Sequence, residues 1–142
     1  MSVENFQGAL RIYLLSDVVI SALVGDDIFS IPVPQNHKPP FITIQFIDDE
    51  VYNDLYGFNG VIIERWQIDV YSEDIDELHA LKKAVFDKLH MKHGENWSGY
   101  KIYLSKSENT NYISEPKDDG SENIYHRIQQ DFKIKRSYET IN

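Results

Sequence analysis

The stretch Val61-Ile62-Ile63-Glu64-Arg65-Trp66-Gln67-Ile68-Asp69-Val70-Tyr71, followed at once by Ser72-Glu73-Asp74-Ile75-Asp76-Glu77-Leu78, decides how this chain folds. Its first part alternates. Ile62, Trp66, Ile68 and Val70 point one way, and Arg65, Gln67, Asp69 and Tyr71 the other, which is the period of a strand with one apolar face. The second face is either solvated or in contact with a neighbour. After Ser72 the period changes. Leu78, Leu81, Val85 and Leu89 recur at helical spacing, predicting an amphipathic helix from about Glu73 to His93. Ser72 is the expected N-cap, acids crowd the first turns, and Lys88, His90, Lys92 and His93 crowd the end before Gly94 stops it. That polarity matches the helix dipole.

Working outward, Phe41–Ile47 reads as a strand with Ile42, Ile44 and Phe46 on one face. The segment between the two strands, Asp48 to Gly60, reads as a long loop that opens with acids and closes with Gly57, Asn59 and Gly60, so the pair predicts a hairpin with an oversized tip. Upstream, Val3, Phe6, Leu10, Tyr13 and Leu14 form one helical stripe. A short helix follows Ser16, with Asp17 near its start, and ends at Gly25. Ile28–Ile31 is a candidate edge strand, and Pro32, Pro34, Pro39 and Pro40 hold the chain extended after it. Downstream come a short strand at Tyr100–Leu104, a polar, turn-rich segment from Ser105 to Ser121 with a short strand at Tyr112 and Ile113, and a long strand from Asn123 to Arg136. In the last, Ile124, Ile128, Phe132 and Ile134 face the core while Arg127, Asp131, Lys133 and Lys135 face out.

The predicted fold class is therefore α+β: a mainly antiparallel sheet of about four to five strands, one long amphipathic helix packed on one face, and a helical N-terminus. Residues 1–136 form a single domain, and 137–142 are expected to trail as a disordered tail.

Composition narrows the function. The 142 residues include no cysteine, which removes disulfides, thiolate catalysis and Cys-based zinc sites. Asp and Glu outnumber Lys and Arg by 23 to 14, a poor balance for gripping nucleic acid. No basic-then-apolar leader opens the chain. The longest apolar run, Val18–Val24, is broken by Ser21 and is too short to span a bilayer, so no membrane role is expected.

Catalytic chemistry finds no support in the sequence. His90 and His93 are spaced to share a metal, with Glu95 as the only evident third ligand; helix-terminal histidines more often serve the dipole. His79 and His126 are isolated. Gly57 and Gly60 lack the following Lys-Ser/Thr of a phosphate loop, and no serine sits in a nucleophile elbow. Asp48, Asp49 and Glu50 are consecutive, so on a strand they alternate faces and do not converge. No cofactor and no metal site is expected.

The informative feature is the tip. Val51, Tyr52, Leu55, Tyr56 and Phe58 are large and apolar, yet lie among acids and glycines. Either the loop folds back over its own core, or these side chains bury against another subunit, together with the outward Arg65, Gln67 and Asp69.

In order and spacing the chain resembles the small tail-completion, or tail-to-head joining, proteins of long-tailed phages and prophages. The resemblance is carried by a Leu-Arg-containing first helix, the run Asp17 … Ser21-Ala22-Leu23-Val24-Gly25 … Ile28, Pro34-Gln35, Pro40-Phe41-Ile42, Trp66-Gln67-Ile68-Asp69-Val70-Tyr71, the amphipathic helix, and Ile128-Gln129-Gln130-Asp131-Phe132. Ser105–Ser121 is longer and more polar than the family pattern, and Ser137–Asn142 matches nothing in it. The resemblance implies a non-enzymatic subunit that assembles with itself as a ring, expected to be hexameric. The ring caps the head-proximal end of the tail tube and meets the head connector, with tail tube protein and connector protein as partners. DNA passes through without specific binding. Assembly would take place in the host bacterial cytoplasm, ending at the tail–head junction of the virion. Two other readings stay open: a head-side neck, stopper or minor tail protein, and a small cytosolic α+β module that binds a peptide or metabolite.

Overall fold

The computed structural model describes residues 5–30, 37–116 and 124–141, without the side chains of residues 54, 58, 114–116 and 124. Val3, Pro32, the Pro34-Gln35 turn, the end of the polar segment and Asn123 lie outside these described residues.

The chain forms α1 (Phe6–Leu15), α2 (Val18–Val24), β1 (Ile28–Ser30), β2 (Phe41–Asp54), β3 (Gly57–Ser72), α3 (Ile75–Leu89), β4 (Glu95–Trp97), β5 (Tyr100–Pro116) and β6 (Ile124–Ser137). One curled six-stranded sheet has the order β1-β2-β3-β6-β5-β4. β1 runs parallel to β2, and every other pairing is antiparallel. The α+β class is as the sequence predicts. The count of four to five strands and one long helix is corrected to six strands and three helices.

Each correction has a local cause. Asp48–Gly60 is a ladder rather than a loop. β2 and β3 stay paired to Asp54↔Gly57, leaving only Leu55 and Tyr56 as the turn, and bulges at Ile47 and Tyr52 absorb the irregular spacing that read as a loop. The polar segment after Ser105 continues β5 as far as Pro116, paired to β6 throughout. β4 is three residues long, too short to show a period.

The helices form as their caps dictate. Asp17 Oδ2 accepts from Ile20 N–H at the start of α2, and Gly25 (φ +62) ends it. For α3 the cap is Asp74 rather than Ser72, its Oδ1 accepting from Asp76 N–H. Ser72 supports the turn from below: its buried hydroxyl accepts from Asp74 N–H and donates to Glu77. Leu78, Leu81, Val85 and Leu89 are all fully buried, and α3 lies across β3, β6 and β5 with α2 beside it. Among the described residues no single helix is long and apolar enough to cross a membrane.

The core lies between this helix layer and the sheet. Ile42, Ile44, Trp66, Ile68, Val70, Ile128, Phe132 and Ile134 meet Leu10, Leu14, Ile20 and the α3 stripe. At one end Phe6 packs edge-on to Tyr100 (5.3 Å) and beside Trp66 and Trp97. Beneath Phe6 sits a buried ion pair, Arg136 Nε to Glu64 Oε1 at 2.6 Å. Arg136 Nη1 also donates to the Ser137 and Tyr138 carbonyls, and its guanidinium faces the Phe6 and Tyr100 rings. Where the sequence reading placed a free tail, Tyr138 N–H bonds Gly60 O and Ile141 N–H bonds Gly99 O.

Arg136→Met leaves Glu64 buried without its partner. It is expected to cost about 3–5 kcal/mol, read as a lower urea midpoint at unchanged m-value. A cost below about 1 kcal/mol would show that the pair carries none of this end of the core.

Candidate assembly surface

Among the described residues β1 covers the outer edge of β2 only from Ile42 to Ile44, while β2 stays paired with β3 as far as Asp54. From Gln45 to Asn53 every residue is exposed, on both faces of the strand. The apolar tip expected from the sequence is therefore displayed rather than folded back. Leu55 is 99% and Tyr56 98% exposed, Val51 is half exposed, and Tyr52 is 39% exposed with Lys135 Nζ 4.6 Å from its ring. Phe58 lies in β3 opposite Asn53; its side chain is outside the described residues.

The helix-free face of the sheet carries the other three candidates, in different environments. Arg65 is exposed, Gln67 is half-buried and hydrogen-bonded to Asp69 and Gln129, and Asp69 is buried at 1% exposure. Register explains their grouping. Asp48, Arg65, Lys133 and Lys106 stand side by side on β2, β3, β6 and β5, so three cations follow one acid in a single row. Lys135 stands in the next row beside Ile63. Lys106 has Glu108 at 3.8 Å, whereas neither Arg65 nor Lys133 has an acid within ion-pair distance among the described residues. Like charges directly opposite on neighbouring strands are destabilising. A chain of net charge −9 thus concentrates unbalanced positive charge on one strip of sheet. The sequence reading set Arg65 and Lys133 at outward positions but left Lys106 in a turn-rich segment, and only the strand register brings the three together.

The histidine and carboxylate candidates are accounted for by structure. His90 Nδ1 accepts from Ser107 N–H and its ring stacks on Phe86. His93 is exposed, and among the described residues no three His, Asp or Glu side chains gather as metal ligands. Glu95 is used otherwise. Tyr13 Oη donates to its Oε1 at 2.8 Å and Trp97 Nε1 donates at 2.9 Å, with Tyr13 stacked on Trp97 at 4.0 Å. Burial, together with the neighbouring Glu95, pushes the Tyr13 phenol far above its ordinary range. For Glu95, burial works to raise the carboxyl, but the Trp97 and Tyr13 donors and Lys92 and Lys88 outweigh it and hold the group below the usual carboxylate range. This cluster ties α1 to β4 and to the end of α3. Asp48 and Glu50 face the helix-free side and Asp49 the other, so the three acids do not converge. A cavity of about 340 Å³ among the described residues is an open hollow between α1 and β1, lined by Gln7, Arg11, Phe29 and Ser30. Arg11 there is already bonded to the Asp26 and Ile28 carbonyls.

The family model described as "Tail completion protein gp17" matches residues 8–101. No curated protein matches the chain. Among solved structures, a chain of the "Virion of native gene transfer agent (GTA) particle" superposes with a TM-score of 0.70 at 18% identity. The match covers 95% of this chain and 99% of that one, which establishes a shared fold.

Two outcomes are expected. Leu55→Ser with Tyr56→Ser removes side chains that carry no core packing, so thermal stability should stay within about 0.5 kcal/mol; a larger loss would mean the tip supports the fold. Glu95 is depressed in the folded chain, so its stabilisation is present above the ordinary value of 4.5 and is lost as pH falls below it through the lower native value. The native protein should therefore lose more stability than Glu95→Gln between about pH 6 and about pH 3. Parallel curves in urea titrations at the two pH values would contradict the assignment.

Proposed function

The chain belongs to the tail completion protein gp17 family, and from that premise we propose that it caps the head-proximal end of a phage or prophage tail tube and joins the tube to the head connector as a ring. The observation that carries this reading is the β2–β3 arm. It projects Leu55 and Tyr56 into solvent at almost full exposure on an ordered ladder, which is an anchor built for another protein. An ordered arm differs from the loop read from the sequence. It presents its apolar tip with little ordering cost on binding.

The rest of the reading follows from what a capping ring must do. It must close, which a head-to-tail contact achieves when its rotation closes, six copies being the number that the family resemblance implies. It must offer one surface to tube protein and another to the connector. It must also let DNA pass without holding it. The excess of acid over base, 23 against 14, favours repulsion of phosphate over roughly one Debye length, ~8 Å. The role is mechanical: subunits hold their neighbours, and no bond is made or broken.

The test is native mass and electron microscopy with purified tail tube protein. Expected are oligomers on one end of each tube and arrest of further tube growth, with binding weakened at least about tenfold by Leu55→Ser plus Tyr56→Ser. Tubes that grow unchecked in excess protein would overturn the proposal, and binding to connector alone would move the protein to the head side of the joint.

A further inference from the structure

We infer that the open outer edge of β2 from Asp48 to Val51 takes up an extended, basic segment of another protein as an added strand. This rests on the reading of the β2–β3 arm as a docking device, and it adds how the partner is held and what its chemistry must be.

Three observations lead there. First, the edge is both open and regular at this point. Among the described residues β1 covers β2 only from Ile42 to Ile44, and Gln45–Asn53 is exposed on both faces. Register shifts lie between Phe46 and Asp48 and between Val51 and Asn53. Between them, Asp48, Asp49, Glu50 and Val51 pair in unbroken register with Arg65, Glu64, Ile63 and Ile62 of β3. A strand paired on one side only leaves alternate backbone N–H and C=O groups pointing out of the other, a template for a further strand. The flanking bulges confine the match to a short segment.

Second, the regular stretch is acidic on both faces. Asp48 and Glu50 face the helix-free side and Asp49 the helix side. All three are exposed, and among the described residues none has a lysine or arginine within ion-pair distance. From Pro39 to Glu64 the chain holds no lysine or arginine at all. Acids set against acids penalise pairing of this edge with the same edge of a second copy. A strand carrying lysine or arginine on both its faces meets opposite charge instead.

Third, this chain has no such strand to give. The cations of β6 lie in a strand paired on both sides, by β3 and by β5. On β5, Lys101 stands beside β4 and Lys106 next to the Lys92–Ser105 bridge. The open stretch beyond them, Glu108–Tyr112, carries an acid and no cation. Residues 1–4, 31–36, 117–123 and 142 together contain one lysine, Lys117, against Glu4, Asp118, Asp119 and Glu122. The added strand therefore belongs to a different protein.

The experiment uses the full chain and three synthetic peptides of about eight residues, roughly the length of one strand. The first is threonine and valine with three consecutive lysines at its centre. The second has glutamates in place of the lysines. The third keeps the lysines but has proline at alternate positions, which removes ladder donors at unchanged charge. The lysine peptide should slow amide exchange within residues 45–53 and bind at least about tenfold tighter than either of the others. Asp48→Asn with Asp49→Asn and Glu50→Gln alters exposed side chains only. That variant should keep the native thermal midpoint and lose the lysine peptide by at least about tenfold. Equal affinity for the proline peptide would mean attraction without a strand, and protection at Glu108–Tyr112 instead would mean a different edge. Protection of residues 45–53 that rises with the protein's own concentration, peptide absent, would give the edge to a second copy. Each of these overturns the inference. A lysine peptide that fails to bind while the protein still arrests tube growth sinks the inference alone; failure of both sinks the docking reading with it.

Discussion

The pairing of β3 with β6, from Val61↔Ser137 to Ser72↔His126, is the constraint on which the rest of the molecule depends. Each strand is also half of a long hairpin. β3 folds back on β2 through Leu55-Tyr56, and β6 on β5 through a connection at its other end. Joining the two hairpins antiparallel through their inner strands sends their turns to opposite ends of the sheet. One ladder thus fixes the register, puts four long strands in a single surface, and leaves two arms whose outer edges are only partly covered by β1 and β4 among the described residues. A slip of one residue in it would turn Trp66, Ile68 and Val70 from core to solvent, so the apolar alternation of β3 holds the whole arrangement in place.

The helices finish what the ladder begins. α3 leaves β3 directly and crosses over to β4, so it must lie on one face, and Leu78, Leu81, Val85 and Leu89 choose which. α1 is fastened at two points. Phe6 rests over the Arg136–Glu64 pair, and Tyr13 reaches Glu95 and the Lys88 carbonyl. Taking two charges out of water is costly, so the buried pair adds little net stability. Its consequence is positional: the guanidinium satisfies the Ser137 and Tyr138 carbonyls as the chain leaves β6, beside the base of the β2–β3 arm.

Legibility in the sequence followed burial. Helix α3, strand β3 and the core half of β2 each set an apolar row against the core, and each showed its period plainly. α2 was bounded correctly by Asp17 and Gly25 because caps are local chemistry. The segments misread as loops, Asp48–Gly60 and Ser105–Pro116, are strands over much of whose length neither face is buried, so no alternation was selected to announce them. Two bulges in each strand further scrambled the spacing. Within the candidate surface, the tip residues Leu55 and Tyr56 were readable because apolar side chains stand out among acids and glycines. The cation row was not, since Arg65, Lys106 and Lys133 are far apart in sequence and only register assembles them. Gln130 went equally unread: it lies fully buried between Ile128 and Phe132, and its amide finds no partner among the described residues.

That pattern of failure carries its own argument. In a domain that works alone, a strand exposed on both faces is poorly supported, because a ribbon without a packed face is marginal in water. Selection for monomer stability would shorten such arms or give them an apolar face against the body. Here the ladder runs on beyond the core at both ends, and its exposed stretches keep bulges and charges that hinder indiscriminate strand pairing. On the proposed assembly reading, arms retained at that cost, and guarded in that way, are accounted for by partners that would cover them. On that reading, the sequence is hardest to read where the fold of one chain is unfinished, because the environment those residues are suited to would come from other chains.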